Sequence, residues 1–131
     1  MSRVRADGWA MPALPTTLAL VYDRQASPNG GPLQARIGRC RDYAADRAWV
    51  RAGLWIDRDD AALIGRPTAR PAWQQMLDVA HAGAARGCAV VILIHDETRL
   101  AHDAVTAATF RHEAKLAGAQ VVAVRGAQPR R

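Results

Sequence analysis

Aromatic residues are scarce in this chain of 131 residues, at 5% of the sequence. A hydrophobic core must therefore come mainly from Ala, Val, Ile and Leu. Since half of all residues are hydrophobic, the composition argues against a largely disordered chain. No apolar run approaches the ~20 residues of a membrane-spanning helix, and Pro12 and Pro15 interrupt the apolar stretch near the start. We therefore expect a soluble cytoplasmic protein without membrane contact.

Several common site signatures are also missing. Cys40 and Cys88 form no Cys-x-x-Cys pair, and their apolar surroundings predict two reduced, buried thiols. The loop after the first predicted strand lacks Gly-x-Gly-x-x-Gly, which disfavours a nucleotide-binding domain. One loop region carries five candidate metal ligands: His95, Asp96, Glu97, His102 and Asp103. Their spacing fits no recognised metal motif, so loop solvation and helix capping are favoured, and we expect no metal or cofactor.

Lysine is almost absent, because 17 of the 18 basic residues are arginine. Against 12 acidic residues they give a net charge of +6, of which residues 16–124 carry only +2. We expect residues 1–15 to be a flexible leader, 16–124 the folded domain and 125–131 a basic tail. Arginine positions within the domain are therefore more informative about nucleic-acid binding than the net charge.

Strand-like apolar runs alternate with helical patterns along the domain. The predicted strands are Thr17 to Tyr22, Trp49 to Ile56, Cys88 to Ile94 and Val121 to Val124. Helices are predicted from Leu33 to Ala44, from Pro71 to about Ala85, and after a capping Asp103 to Leu116. This alternation predicts a three-layer α/β/α sandwich with a mostly parallel sheet. Sites in such folds form beyond the carboxyl ends of the strands, here in loops 23–32, 57–70 and 95–103.

Each of these three loops contains arginine. Arg24 lies in the first, Arg66 and Arg70 in the second, and Arg99 in the third. Converging guanidiniums suit a phosphate, because their forked donors match its oxygens and their charge persists at neutral pH. The alternative is a set of solvated loop arginines in an arginine-rich chain.

Several motifs also stand in the order typical of one family. They are Tyr22-Asp23-Arg24-Gln25-Ala26-Ser27, Cys40 to Ala44 followed by Trp49, Gly65, Arg70-Pro71 with Met76-Leu77, and Thr98-Arg99-Leu100-Ala101-His102 after Val90 to Ile94. The ordered set resembles the catalytic domain of the resolvase/invertase-type serine recombinases over about residues 17–124. The resemblance implies a resolvase-like fold and a relation to DNA strand exchange.

In that family a serine hydroxyl attacks a DNA phosphodiester and forms a covalent phosphoserine link. Arginines hold the phosphate and stabilise its developing charge. Carried over to this chain, the resemblance assigns that task to Arg24, Arg70 and Arg99. It places Ala26 where the nucleophilic serine belongs, and an alanine has no atom that attacks phosphorus.

Three further positions depart from the family pattern. Thr98 replaces the acidic residue of the Asp-Arg motif, His102 replaces its second arginine, and Arg36 stands where a glutamine is usual. We therefore expect a non-catalytic domain that contacts the DNA backbone with low sequence specificity, forms a homodimer, or associates with a related recombinase. The expected phosphate-binding residues are Arg24, Arg36, Arg66, Arg70, Arg99 and His102.

Two alternatives stay open. In the first, Ser27, one residue after the expected position, is the nucleophile for DNA nicking, which requires irregular backbone that turns its side chain inward. Without such a distortion, Ser27 is a surface or helix-capping hydroxyl. In the second alternative, the domain is a protein-interaction module that does not contact DNA. Active family members carry a dimerisation helix and a DNA-binding region after this domain, whereas this chain ends seven residues after Val124. Complete recombination by this polypeptide alone is therefore not expected.

Overall fold

The computed structural model describes residues 16–25, 31–58 and 65–126. Its elements are β1 (Thr17–Gln25), α1 (Gly31–Asp46), β2 (Val50–Arg58), α2 (Pro71–Ala85), β3 (Ala89–Ile94), α3 (Ala104–Leu116) and β4 (Ala119–Ala123). All strand pairs are parallel, in the order β2-β1-β3-β4. The predicted α/β sandwich with a parallel sheet is confirmed. Within the described ranges, every helix is too short or too polar to cross a membrane.

The helices begin and end where local chemistry favours it. Pro71 occupies the first turn of α2, and the Asp103 carboxylate accepts the Thr106 N–H at 2.9 Å at the start of α3. Gly87 (φ +87°) and Gly118 (φ +85°) follow α2 and α3 in the left-handed conformation, which glycine adopts without a Cβ clash. These boundaries agree with the sequence predictions.

Two strands run further than the hydrophobic pattern predicted. β1 continues past Tyr22 to Gln25, and β2 continues past Ile56 to Arg58. The parallel ladder carries on because backbone groups pair regardless of side-chain polarity, so that Arg24 lies opposite Asp57. Charged side chains are thereby placed on rigid strands instead of in loops.

The pairing between β3 and β4 also extends into the segment predicted as a tail. Val124 N–H donates to the Ile94 carbonyl and Arg125 N–H to the His95 carbonyl, both at 2.8 Å. Arg125 is therefore fixed against the end of β3, and the folded domain reaches at least this residue.

The two faces of the sheet carry separate cores. On one face Ala19 and Val21 of β1 pack with Cys40 and Ala44 of α1. On the other face the neighbouring β1 residues pack against α2 and α3, in a cluster that includes Leu20, Tyr22, Trp73, Met76 and Phe110. This alternation follows from the period of two in a strand.

The few aromatic residues are concentrated in the larger core. Trp73 is fully buried, and its ring makes edge-to-face contacts with Tyr22 and Phe110 at centroid distances of 5.0 and 5.1 Å. Such contacts contribute about 0.5–1.5 kcal/mol each beyond the buried area. The larger core therefore lies directly beneath the end of β1.

The two cysteines differ in burial. Both are free thiols, but the prediction that both are buried is wrong for Cys88, which is half-buried in the turn before β3. Burial raises the pKa of Cys40 to about 12, and the nearby Asp23 carboxylate adds to this effect. We expect a thiol reagent at pH 8 to label Cys88 readily and Cys40 only after unfolding, because the thiolate is the reactive form. Equal labelling rates in Cys40→Ser and Cys88→Ser proteins would contradict this.

Candidate functional site

The carboxyl ends of β1 and β3 lie side by side in the middle of the sheet. The chain leaves β1 through α1 on one face and returns to β3 through α2 on the other. In open α/β sheets this switch point forms a crevice where ligands bind. Arg24 lies at the end of β1, Arg99 in a short turn after β3, and Arg70 immediately before α2. The topology thus brings the three predicted arginines to one edge of the sheet.

Arg24 and Arg99 are held by reciprocal contacts. Arg24 Nε donates to the Thr98 carbonyl at 2.8 Å, and Arg99 Nη1 donates to the Arg24 carbonyl at 3.2 Å. Arg99 Nη2 also donates to Thr98 Oγ1 at 3.0 Å. Because each guanidinium is tied to the backbone or side chain of the opposite segment, the end of β1 and the loop after β3 form one rigid unit.

Arg70 lies beneath this pair and is fully buried. Its guanidinium carbon sits 4.2 Å from the centroid of the Phe110 ring, and Nη1 donates to the Tyr22 hydroxyl at 3.3 Å. Tyr22 in turn donates to Asp57 Oδ2 at 2.8 Å. A cation over an aromatic face is stabilised by the ring quadrupole, so the core holds this charge in a defined place.

Asp57 is the carboxylate at the other end of this chain of hydrogen bonds. It accepts the Ala72 and Trp73 N–H groups at 2.8 and 3.1 Å, and so caps α2 from the end of β2. Burial raises the pKa of Tyr22 well above its usual range, and the Asp57 charge and hydrogen bond raise it further while Arg70 opposes them. Tyr22 therefore remains a neutral phenol that joins Arg70 to Asp57.

The electrostatics of Arg24 reflect its cationic surroundings. Burial lowers the pKa of Arg24, and the positive charges of Arg70 and Arg99 lower it further. Arg24 therefore lies close enough to Arg70 and Arg99 for their charges to repel its own. A bound anion relieves such repulsion, so the arrangement favours a negatively charged ligand.

Sequence reasoning missed Asp23, which organises the opposite side of the site. This carboxylate, 2% exposed, accepts Arg36 Nε and Nη2 at 2.8 and 3.1 Å and Arg99 Nη1 at 3.2 Å. The Arg24 N–H adds a fourth hydrogen bond at 2.7 Å. Arg36 lies beside the site as the resemblance implied, but it pairs with Asp23. The signal in the sequence was an acidic residue between Tyr22 and Arg24 at the end of an apolar strand.

Asp96 organises the loop after β3. It accepts the Thr98 N–H at 3.0 Å, the Thr98 hydroxyl, and a hydrogen bond from His95 Nδ1 at 2.7 Å. Burial opposes its charge, but the hydrogen bonds from Thr98 and His95 and the nearby Arg99 lower the pKa of Asp96 to about 2. The predicted capping role is found here, since Asp96 caps the turn Glu97–Arg99.

His95 is buried, so its predicted solvation in the loop is wrong. Its Nδ1 faces Asp96 and its Nε2 lies 3.2 Å from Arg39 Nη1 on α1. These two partners replace water, which explains how an imidazole is accommodated at the end of a buried strand. Among the residues the structure describes, no three His, Cys, Asp or Glu side chains are grouped as metal ligands.

The remaining predicted site residues lie apart or outside the described ranges. Arg66 is exposed just before the turn Pro67–Ala69, and His102 is exposed in a separate hollow that Ala107 and Arg111 also line. Ala26 and Ser27, on which the catalytic alternatives depend, lie outside the described residues.

The sequence of the chain is similar to that of a known protein family. The family model described as Resolvase, N terminal domain, matches residues 19–131. This range runs from the third residue of β1 past the end of β4 and includes all of the arginines at the site. No curated protein matches the chain significantly.

Three solved structures resemble the fold. The catalytic domain of ISC1926 TnpA, an IS607-like serine recombinase, gives a TM-score of 0.64 at 19% identity, covering 86% of this chain and 71% of that chain. The catalytic domain of TP901-1 integrase gives 0.62 at 15% identity, covering 82% and 76%. A resolvase family site-specific recombinase from Streptococcus pneumoniae gives 0.64 at 17% identity, covering 83% and 72%. The family match and the shared fold together show that this chain belongs to the resolvase N-terminal domain family, as a serine-recombinase-type domain related to DNA strand exchange.

Proposed function

We propose that this domain binds backbone phosphates of DNA at the site formed by Arg24, Arg70 and Arg99, without cleaving the strand. The observation that carries the proposal is the convergence of the three guanidiniums at the carboxyl edge of the sheet. Arg99 is half-buried and Arg24 is 8% exposed, while fully buried Arg70 adds positive charge from below. Charge-assisted hydrogen bonds from guanidinium to phosphate are among the strongest in proteins.

Preorganisation supports this role. The contacts between Arg24 and Thr98 and between Arg99 and the Arg24 carbonyl fix both side chains before a ligand arrives. Less side-chain entropy is then lost on binding than with mobile surface arginines. Contacts to the backbone alone orient a duplex and carry no base sequence information.

The absence of cleavage follows from position 26. In the family reaction the serine oxygen forms a bond to phosphorus, the bond to the leaving deoxyribose oxygen breaks, and that oxygen gains a proton. Ala26 stands at the nucleophile position of the motif and carries a methyl group instead. The proposed phosphate site therefore holds DNA without exchanging strands by this route.

DNA affinity of an Arg24→Gln variant tests the binding role. We expect it to bind a fluorescein-labelled duplex about tenfold more weakly than the wild type at low salt, since one charge-assisted contact is lost. The slope of log affinity against log salt should also fall by about 0.9. Fluorescence anisotropy over a range of salt concentrations measures both quantities.

Arg86→Gln provides the matched control. Arg86 is exposed at the carboxyl end of α2, at the opposite edge of the sheet, and its substitution removes the same charge. Equal affinities for the Arg24→Gln and Arg86→Gln proteins would reject the proposed site. No measurable DNA binding by the folded wild type would favour a protein-interaction module.

A plasmid assay tests the non-catalytic half of the proposal. The wild type should leave supercoiled DNA intact and form no covalent protein–DNA product. Nicking that the Ser27→Ala substitution abolishes would overturn this expectation and identify Ser27 as a shifted nucleophile. Nicking unchanged by that substitution would point to a contaminating nuclease.

A further inference from the structure

A basic cavity lies on the α1 side of the switch point. It has a volume of about 410 Å³ and opens between the first turns of α1 and the loop after β3. Its lining includes Arg36, Arg39, Arg99, Arg125, His95 and Asp96. Of the three arginines proposed to bind DNA, only Arg99 lines it. The cavity is therefore a neighbouring compartment of the same sheet edge.

The charges that line this cavity are mainly positive. Four guanidiniums and the Asp96 carboxylate line it, and the buried Asp23 carboxylate pairs with Arg36 and Arg99. These six groups carry a net charge of +2, while Asp42 and Asp46 lie with Arg39 and Arg125 around an adjacent hollow. Cavities of this size commonly hold small ligands, and a concave wall of one charge concentrates ions of the opposite sign.

The hydrogen bonds of His95 position Arg39 at this wall. Because a guanidinium only donates, Nε2 must accept from Arg39 at 3.2 Å, and Nδ1–H then donates to Asp96. Among the described residues, Arg39 thus donates one of its five N–H groups to an internal partner, His95. Arg125 is placed nearby by its backbone hydrogen bond to the His95 carbonyl.

The Arg99 side chain has a buried donor that makes no hydrogen bond to the described residues. Its Nε is buried and donates no hydrogen bond within the described part of the chain, although Asp96 Oδ1 lies 3.7 Å away. A buried donor without an acceptor costs free energy, so native proteins usually satisfy it with a ligand or water.

We propose that this cavity is a phosphate site, in which Arg39 and Arg125 join Arg99 around one phosphate group. Several guanidinium forks suit a tetrahedral anion with multiple acceptor oxygens better than a single carboxylate. The phosphate can come from the DNA backbone or from a free phosphate ester, since both present the same oxygens. In the first case the site extends the proposed DNA contact by a further phosphate, and that reading rests on the proposed function.

The test compares two double variants of equal charge. Arg39→Gln/Arg125→Gln removes two exposed arginines of the cavity, and Arg41→Gln/Arg86→Gln removes two exposed arginines elsewhere. Inorganic phosphate and phenyl phosphate are titrated into each protein by calorimetry at low ionic strength. We expect the cavity variant to bind both about tenfold more weakly than the wild type, and the control to change by less than about twofold. Thermal unfolding verifies that both variants fold.

Anisotropy with the labelled duplex then separates the two sources. If the cavity variant loses both phosphate and DNA affinity, the site holds a backbone phosphate. If it loses phosphate and phenyl phosphate affinity while DNA binding is unchanged, the site holds a free phosphate ester. Identical phosphate binding by the two double variants overturns the proposal. The Arg24→Gln protein gives an independent result, because Arg24 does not line this cavity.

Discussion

Replacing Asp57 with alanine is expected to lower the free energy of unfolding by about 3–5 kcal/mol. Asp57 is 3% exposed, and it accepts hydrogen bonds from the Tyr22 hydroxyl and from two N–H groups of α2. Alanine removes the cap, leaves a buried hydroxyl without its acceptor, and takes away the negative charge that Tyr22 contacts. The melting temperature should fall by about 10–20 °C.

Urea unfolding followed by circular dichroism measures this loss. Asp78→Ala is the control, because Asp78 is exposed on α2 and removes the same charge from the same helix. We expect the control to change the free energy of unfolding by less than about 0.5 kcal/mol. A similar effect in both variants would show that the buried network between Arg70 and α2 contributes nothing to stability.

Replacing Asp23 with alanine should change stability and anion binding in opposite directions. Arg36 and Arg99 lose the carboxylate between them, and two partly buried cations left without it should cost about 2–4 kcal/mol of stability. The same change raises the positive charge of the switch-point crevice. Affinity for the labelled duplex at low salt should therefore rise.

Two measurements separate the effect of Asp23→Ala on stability from its effect on DNA binding. Urea unfolding gives the loss of stability, and anisotropy below the unfolding transition gives the DNA affinity. Asp78→Ala also serves here, because it changes the net charge equally at a distant helix position. If Asp23→Ala weakens DNA binding, then Asp23 acts mainly by positioning Arg99, and its charge does not compete with the phosphate.

Local sequence was enough to predict most elements of the fold. The ends of α2 and α3 depend on the backbone preferences of single residues, which can be identified from the sequence alone. The helices start at Pro71 and after Asp103, and they end before Gly87 and Gly118. The buried stripe of α1 likewise follows from helical spacing. The strand ends were less predictable, because polar residues such as Arg24 and Arg58 continue the ladder through backbone pairing.

The arginines of the site were predictable for a topological reason. Parallel strands joined by helices place all their carboxyl ends at one edge, so arginines following different strands must come near one another. The exposed positions of Arg66 and His102 did not follow from that rule, because a loop can turn its side chains towards solvent.

The sequence by itself determined the alternation of elements, a core built mainly from Ala, Val, Ile and Leu, and the departure of Ala26 from the family motif. Only the tertiary structure decided the strand order β2-β1-β3-β4, the burial of His95 and the pairing of Asp23 with Arg36 and Arg99. Those partners lie 13 and 76 residues from Asp23 along the chain. Local propensity carries no information about such distant contacts, which form because a buried carboxylate is stable only beside the cations that the fold brings to it.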